Sequence, residues 1–150
     1  MAQSLANILL HLTFSTKDRR RLIRRDMQAE LHQYLAGTCA HLGCPAHEVG
    51  GVDDHVHLAL SFSRTITVAK LVEEVKKSSS KWIKTKGRDY HDFSWQGGYG
   101  IFSIGQSGFE ALRRYIRGQH AHHKNVSFQD EFRALCRKYG VDLDEQYAWD

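Results

Sequence analysis

Apolar and polar residues alternate along "SLANILLHLTFST". Ile8, Leu10, Leu12 and Phe14 fall on one side, and Asn7, Leu9, His11 and Thr13 on the other, the period of a half-buried strand. The basic stretch "TKDRRRLIRRD" connects it to "RDMQAELHQYLAGTCAHLG". There Met27, Leu31, Tyr34 and Leu35 make one helical stripe that ends near Gly43. "HEVGGV" and "HVHLALSF" predict two short strands around a turn at Asp53-Asp54. A second helix is predicted over "TVAKLVEEVKKSSSKWIKTKG", because Val68, Leu71, Val72, Val75, Trp82 and Ile83 keep helical spacing. "GGYGIFSIG" is a fourth strand bounded by glycines. "SGFEALRRYIRGQHAHHK" predicts a third long helix, with Ser107 as N-cap and Glu110 three residues later. A last helix lies in "SFQDEFRALCRKYG", where Ser127 precedes Asp130 by three. The resulting order, β-α-β-β-α-β and then two helices, predicts an α+β fold. It is the ferredoxin-like βαββαβ arrangement: one antiparallel sheet, helices on one face, and C-terminal helices added.

Strand alternation sharpens the third strand. Val56, Leu58, Leu60 and Phe62 share one face, expected under the helices. His55, His57, Ala59 and Ser61 share the other, expected to be the open face of the sheet, and His11 falls on the polar side of the first strand. Two imidazoles two residues apart on a strand have Cα atoms about 6–7 Å apart, close enough to share one metal ion. Two solvated histidines on an exposed strand fit the same pattern.

The third helix divides into sectors of about 100° per residue. Phe109, Leu112 and Ile116 form a packing stripe. Arg113, Arg114, Arg117 and Lys124 form a basic sector. Tyr115, Gln119 and His122 follow at i, i+4 and i+7 beside the packing stripe, where a tyrosine is also an ordinary edge-of-core residue. Gly118 costs such a helix about 1 kcal/mol relative to Ala, and a close approach by another backbone or by DNA would account for it.

The bulk numbers narrow the class. A chain of 150 residues with one Pro predicts a single domain over 1–150. No apolar run approaches the ~20 residues that span a bilayer, so no membrane association is expected. Three cysteines in no framework pattern fit a reducing compartment, and no basic leader with a cleavage site is recognisable. A cytoplasmic location is expected. The net charge of +4 is compatible with a nucleic-acid partner.

The motifs "DHVHLAL", "WQGGYGIFSI", "YIRGQHAHH", "SFQDEF" and "YAW", in that order and spacing, cover nearly the whole chain. Together they resemble the single-tyrosine HUH transposases of small bacterial insertion sequences, to which the REP-associated tyrosine transposases are related. The resemblance implies that His55 and His57 bind a divalent metal, Mg²⁺ or Mn²⁺. It implies that Tyr115 is the nucleophile and that Gln119 supplies a third ligand. The family's usual residue before that glutamine is Asn, where this chain has Gly118. The implied reaction is cleavage and rejoining of single-stranded DNA at ends marked by subterminal hairpins, through a 5′-phosphotyrosine and a free 3′-OH. The implied assembly is a homodimer whose tyrosine helices can act in trans.

Candidate DNA-backbone contacts are Lys17, Arg19, Arg20 and Arg21, then Lys76, Lys77, Lys81 and Lys84, then Arg113, Arg114 and Arg117. Solvated charged faces are the bland alternative. Trp95, Tyr99 and Trp149 can stack on unpaired bases or serve packing. Asp54 is a turn former that can also orient a histidine from behind, and His122 shares the Tyr115/Gln119 face. "CAHLGCPAH" offers Cys39, His41, Cys44 and His47, but its spacing departs from zinc-site patterns and straddles a helix end. Two rival functions follow from these features: a non-catalytic single-strand or hairpin DNA binder on the same fold, and a small zinc protein.

Overall fold

The computed structural model describes residues 2–150. Four strands, β1 (Leu9–Ser15), β2 (Ala46–Gly51), β3 (His55–Ser61) and β4 (Gly100–Ile104), form one sheet in the order β2-β3-β1-β4, with every neighbouring pair antiparallel. Helices α1 (Arg25–His41) and α2 (Val68–Ile83) cover one face. This is the α+β arrangement expected. The core beneath these helices takes the predicted row, Val56, Leu58 and Leu60 from β3 with Leu12 and Phe14 from β1, against Leu31 and Leu35 of α1 and Leu71 and Val75 of α2. Thr67 caps α2 by accepting from the Lys70 N–H at 3.1 Å, a bond that satisfies one otherwise unpaired donor.

The other face differs from expectation. It is not open: α3 (Phe109–Arg117), α4 (Gln119–His122) and α5 (Phe128–Lys138) lie across it. β1, expected to be half buried, is therefore buried along its whole length, and both His55 and His57 have 0% exposure. Phe109, Leu112 and Ile116 of α3 pack on Leu9 and Ala59, while Phe128 and Phe132 of α5 pack on Phe102. Polar residues on the sheet's second face marked it as solvent-facing; His55 and His57 instead meet polar groups of the helices above, and His11 and Thr13 bond to β3.

Two glycines set how closely those helices approach. A Cβ at Gly50 would stand 2.6 Å from the carbonyl oxygen of Ile116, so the α3 backbone rests directly on β2. A Cβ at Gly100 would meet the Phe132 ring at 2.6 Å. Gly118 has neither constraint. Its φ of −88° suits any residue, and a Cβ there meets only ordinary contacts. The expected long third helix instead breaks at Gly118 into α3 and α4. Ser107 does not cap it; it lies in a short 3₁₀ turn, and Gly108 precedes the helix without a side-chain bond. Ser127 does cap α5, accepting from the Asp130 N–H at 3.1 Å.

Candidate active site

β3 presents His55 and His57 toward α3–α5, one strand period apart, and their ring centroids are 5.1 Å apart. Each ring is held from behind through Nδ1. Asp54 Oδ1 lies 2.7 Å from Nδ1 of His55, and His11 Nε2 of the neighbouring strand lies 2.7 Å from Nδ1 of His57. Fixing one nitrogen directs the other, so both Nε2 atoms point into the space under the C-terminal helices.

What meets them there is a carboxylate. Glu131 of α5 is 3% exposed, and its Oε1 lies 2.8 Å from Nε2 of His57 and 3.5 Å from Nε2 of His55. Its Oε2 accepts from Gln119 Nε2 at 3.1 Å and from the Tyr115 hydroxyl, with His123 Nε2 at 3.1 Å and His122 Nε2 at 3.4 Å. Gln119 Oε1 turns to Nε2 of His55, at 2.9 Å. His123 is oriented by its other nitrogen, which donates to the Val126 carbonyl at 2.5 Å. The break at Gly118 leaves Tyr115, Gln119 and His122 on one side, and all three enter the cluster. Tyr115 meets the histidines of its own chain.

The charges are strongly coupled. Burial by itself would push the Glu131 carboxyl up, but His57, His123 and His55 pull it well below the usual carboxylate range. Burial lowers His57, against the pull of Glu131. His11 is lowered well below its ordinary value by burial and by His57. His123 is raised, because Glu131 outweighs its burial. Burial and the Glu131 carboxylate raise the Tyr115 phenol far above its ordinary value, so it stands as a neutral donor.

The donor set suits a divalent cation. His55, His57, His123 and Glu131 each offer one ligand atom, and these atoms lie within 4.8 Å of one another. Imidazole favours transition metals, and carboxylate or amide oxygen favours Mg²⁺ and Mn²⁺, so a mixed set accommodates either class. Sequence reasoning named His55, His57 and Gln119 and missed Glu131 and His123. A signal for Glu131 was present: it falls with Phe128, Phe132 and Leu135 on the apolar stripe of its helix, where a charge needs a buried partner.

The basic candidates part company. Lys76 Nζ turns inward, donating to the carbonyls of Gln96 at 2.8 Å and Gly98 at 2.6 Å, and burial lowers it to about 8. Arg113 and Arg117 pair with Glu48 at 3.4 and 3.0 Å and with Glu110. Arg19 donates to the Trp149 carbonyl at 2.6 Å. Lys17, Lys77, Lys81 and Arg114 are exposed. Trp95 belongs to the core, where its indole donates to Ser79. Cys39 and Cys44 are buried in that core too, and His47 is bonded to Ser61, so these residues do not assemble a zinc site.

The sequence pattern of the IS200-like transposases matches residues 4–119. The chain belongs to the IS200-like transposase family. His55, His57, Tyr115 and Gln119 of this transposase lie inside the matched span, whereas His123 and Glu131 lie beyond it. Two solved structures share the fold. One is a transposase candidate from Deinococcus radiodurans R1, 18% identical, with a TM-score of 0.62, covering 79% of this chain and 98% of that one. The other is a REP-associated tyrosine transposase bound to a REP hairpin, 14% identical, with a TM-score of 0.59, covering 84% and 76%. No curated protein matches the chain. Among the described residues, no helix is long and apolar enough to cross a membrane.

Proposed function

We propose that this transposase cleaves and rejoins single-stranded DNA through a covalent 5′-phosphotyrosine on Tyr115. One observation carries the reading: the Tyr115 hydroxyl donates to a buried carboxylate whose other oxygen lies on His57. Nucleophile, proton acceptor and cation ligands thus converge within one chain. His55 and His57, with oxygen from Gln119 or Glu131 and with His123 at the rim, would hold Mg²⁺ or Mn²⁺. Such a cation withdraws charge from the phosphate oxygens.

The chain's own groups do the rest. The Tyr115 oxygen forms the bond to phosphorus, and its proton passes to the Glu131 carboxylate. The 3′ oxygen departs with its bonding pair and takes up a proton. Rejoining reverses each transfer, with a 3′-OH as attacker and the tyrosine regaining its proton, so no external energy source is required. Asp54 and His11 keep both imidazoles aimed throughout. The hairpin-bound relative supports hairpin ends as the recognised DNA, and Lys17, Lys77, Lys81 and Arg114 are the exposed cations suited to backbone contact. A homodimer fits the reading. Trans exchange of tyrosine helices is not needed to assemble one centre, because Tyr115 already reaches the histidines of its own chain.

The rival reading, a non-catalytic hairpin binder, keeps the same contacts but forms no covalent bond. Incubation with hairpin-bearing single-stranded DNA and Mn²⁺ separates the two. Cleavage gives a protein–DNA adduct that survives denaturation and disappears in Tyr115→Phe. Tight binding by the wild-type chain with no adduct selects the binder.

A further inference from the structure

On the Asp54 side of the catalytic cluster lies a second cavity of about 470 Å³, with a basic, polar lining unlike the apolar cavity beside Tyr115. Arg21, Arg24, Arg25 and Lys124 line it against two carboxylates, Asp53 and Asp54. Asp54 is engaged with His55, and Asp53 sits 3.9 Å from Arg21. Arg24 is held by Asp89 and Asp26. Arg25 meets only the His120 ring, at 2.8 Å, and neither Arg25 nor Lys124 makes an ion pair among the described residues. The N-terminal ends of α1, at Arg25, and of α5, at Ser127 and Phe128, border the same cavity and add unpaired N–H groups and positive partial charge. Deeper in the wall, Gln28 is 5% exposed. Its Nε2 donates to the Ile23 carbonyl, while its Oε1 is buried without a partner. An acceptor left unmatched beside uncompensated cations suits a ligand carrying both an anion and an N–H edge.

The cavity's position gives the ligand a direction. Tyr115 and His11 border the apolar cavity, and Asp54 and His123 border the basic one. Between them the side chains follow in the order His11, His57, His55, Asp54. A phosphodiester attacked by Tyr115 expels its leaving oxygen on the face away from the tyrosine, because attacking and leaving oxygens stand roughly in line. That face looks toward the basic cavity.

We infer that this cavity holds the nucleotide carrying the leaving 3′ oxygen, with its own 5′-phosphate on Arg25 and Lys124 and its base edge at Gln28. The inference rests on the proposed tyrosine chemistry for its direction, and on the cavity's residues for its chemistry. The volume lies within the ordinary range for small-ligand sites.

The test is an amide-resolved NMR titration of the full chain with thymidine 5′-monophosphate, inorganic phosphate and a mixed-sequence single-stranded hexanucleotide. The nucleotide is expected to shift the amides of Arg25, Asp26, Ser127 and Phe128. Inorganic phosphate is expected to bind about fivefold more weakly, the weight of one missing hydrogen bond. The hexanucleotide should move the same amides at lower concentration. The Arg25→Gln/Lys124→Gln double variant, whose spectrum should otherwise superimpose on wild type, should lose these shifts. Arg64→Gln should keep them. Shifts elsewhere, or shifts that survive the double substitution, would overturn the inference. Equal binding of inorganic phosphate would reduce the cavity to an anion site. Nucleotide binding without hexanucleotide binding would make it a site for free nucleotides. None of these probes requires cleavage, so a normal titration with no Tyr115 adduct sinks the proposed function and with it the leaving-group assignment, leaving a nucleotide-binding cavity, and the reverse result sinks this inference alone.

Discussion

The two faces of β3 are built from alternate residues of the same seven and have opposite characters. Val56, Leu58 and Leu60 face α1 and α2 in a dry apolar layer. His55 and His57 face α3–α5, where six polar side chains link to one another and to Glu131. Both faces are buried, so burial does not distinguish them. The difference is what burial achieves: one layer gains stability from apolar area, while the other fixes the direction of both Nε2 atoms at the expense of desolvating a carboxylate. Stability and chemistry are thereby separated by a single residue step along one strand.

Substitutions on either face should break that separation in opposite ways. The largest effect is expected from His57→Ala, which should lower adduct formation on hairpin DNA by at least about a thousandfold, the scale of losing a central catalytic group. Hairpin binding, followed by fluorescence anisotropy, should be largely preserved. Its neighbour Leu58→Ala should do the converse, costing about 2–5 kcal/mol in denaturant unfolding while the folded fraction retains its activity at low temperature. If Leu58→Ala removed activity without loss of stability, the two faces would not be independent.

Asp54→Asn tests orientation rather than ligation. Weakening the hold on Nδ1 of His55 should reduce Mn²⁺ affinity about 10–100-fold by calorimetry, with little change in melting temperature. The smallest effect sharpens the comparison with a third environment. His32 of α1 is lowered to about 4 by burial and by His120, and its Nε2 has no partner. Such a histidine stays neutral in the fold while the unfolded chain protonates below the ordinary value of 6.5. The unfolded state therefore binds the extra proton, and stability should fall as pH drops from about 6.5 toward 4. His32→Gln should flatten that part of the profile of melting temperature against pH.

The sheet was legible in the sequence because alternation in "NILLHLTF" and "HVHLALSF" is a strictly local signal. So were the helical stripes of α1 and α2 and the Ser127 cap. The second helical layer was not legible, because a strand with polar residues on one face reads the same whether water or another polar surface covers it. His11, His55 and His57 all carried that ambiguity. The Tyr115–Gln119 pair was readable from spacing within one helix and from resemblance. Glu131 required knowing which helix returns to the sheet, twelve residues beyond Gln119, and only its misplaced charge within the Phe128/Phe132 stripe hinted at it. The DNA candidates were least legible: charge counts do not reveal that Lys76 is capped by carbonyls or that Glu48 holds Arg113 and Arg117.

Gly50 belongs to none of these chemical groups, yet the α3 backbone rests against it at Ile116, one residue from Tyr115. The missing methyl is therefore a spacer of zero thickness that sets the phenol's height above the histidines. An alanine there would act as a shim, lifting the Tyr115 phenol away from Glu131 while His55 and His57 kept their own supports. A one-methyl change on the neighbouring strand, at the residue paired with His57, would then register as a change in the phenol's reach.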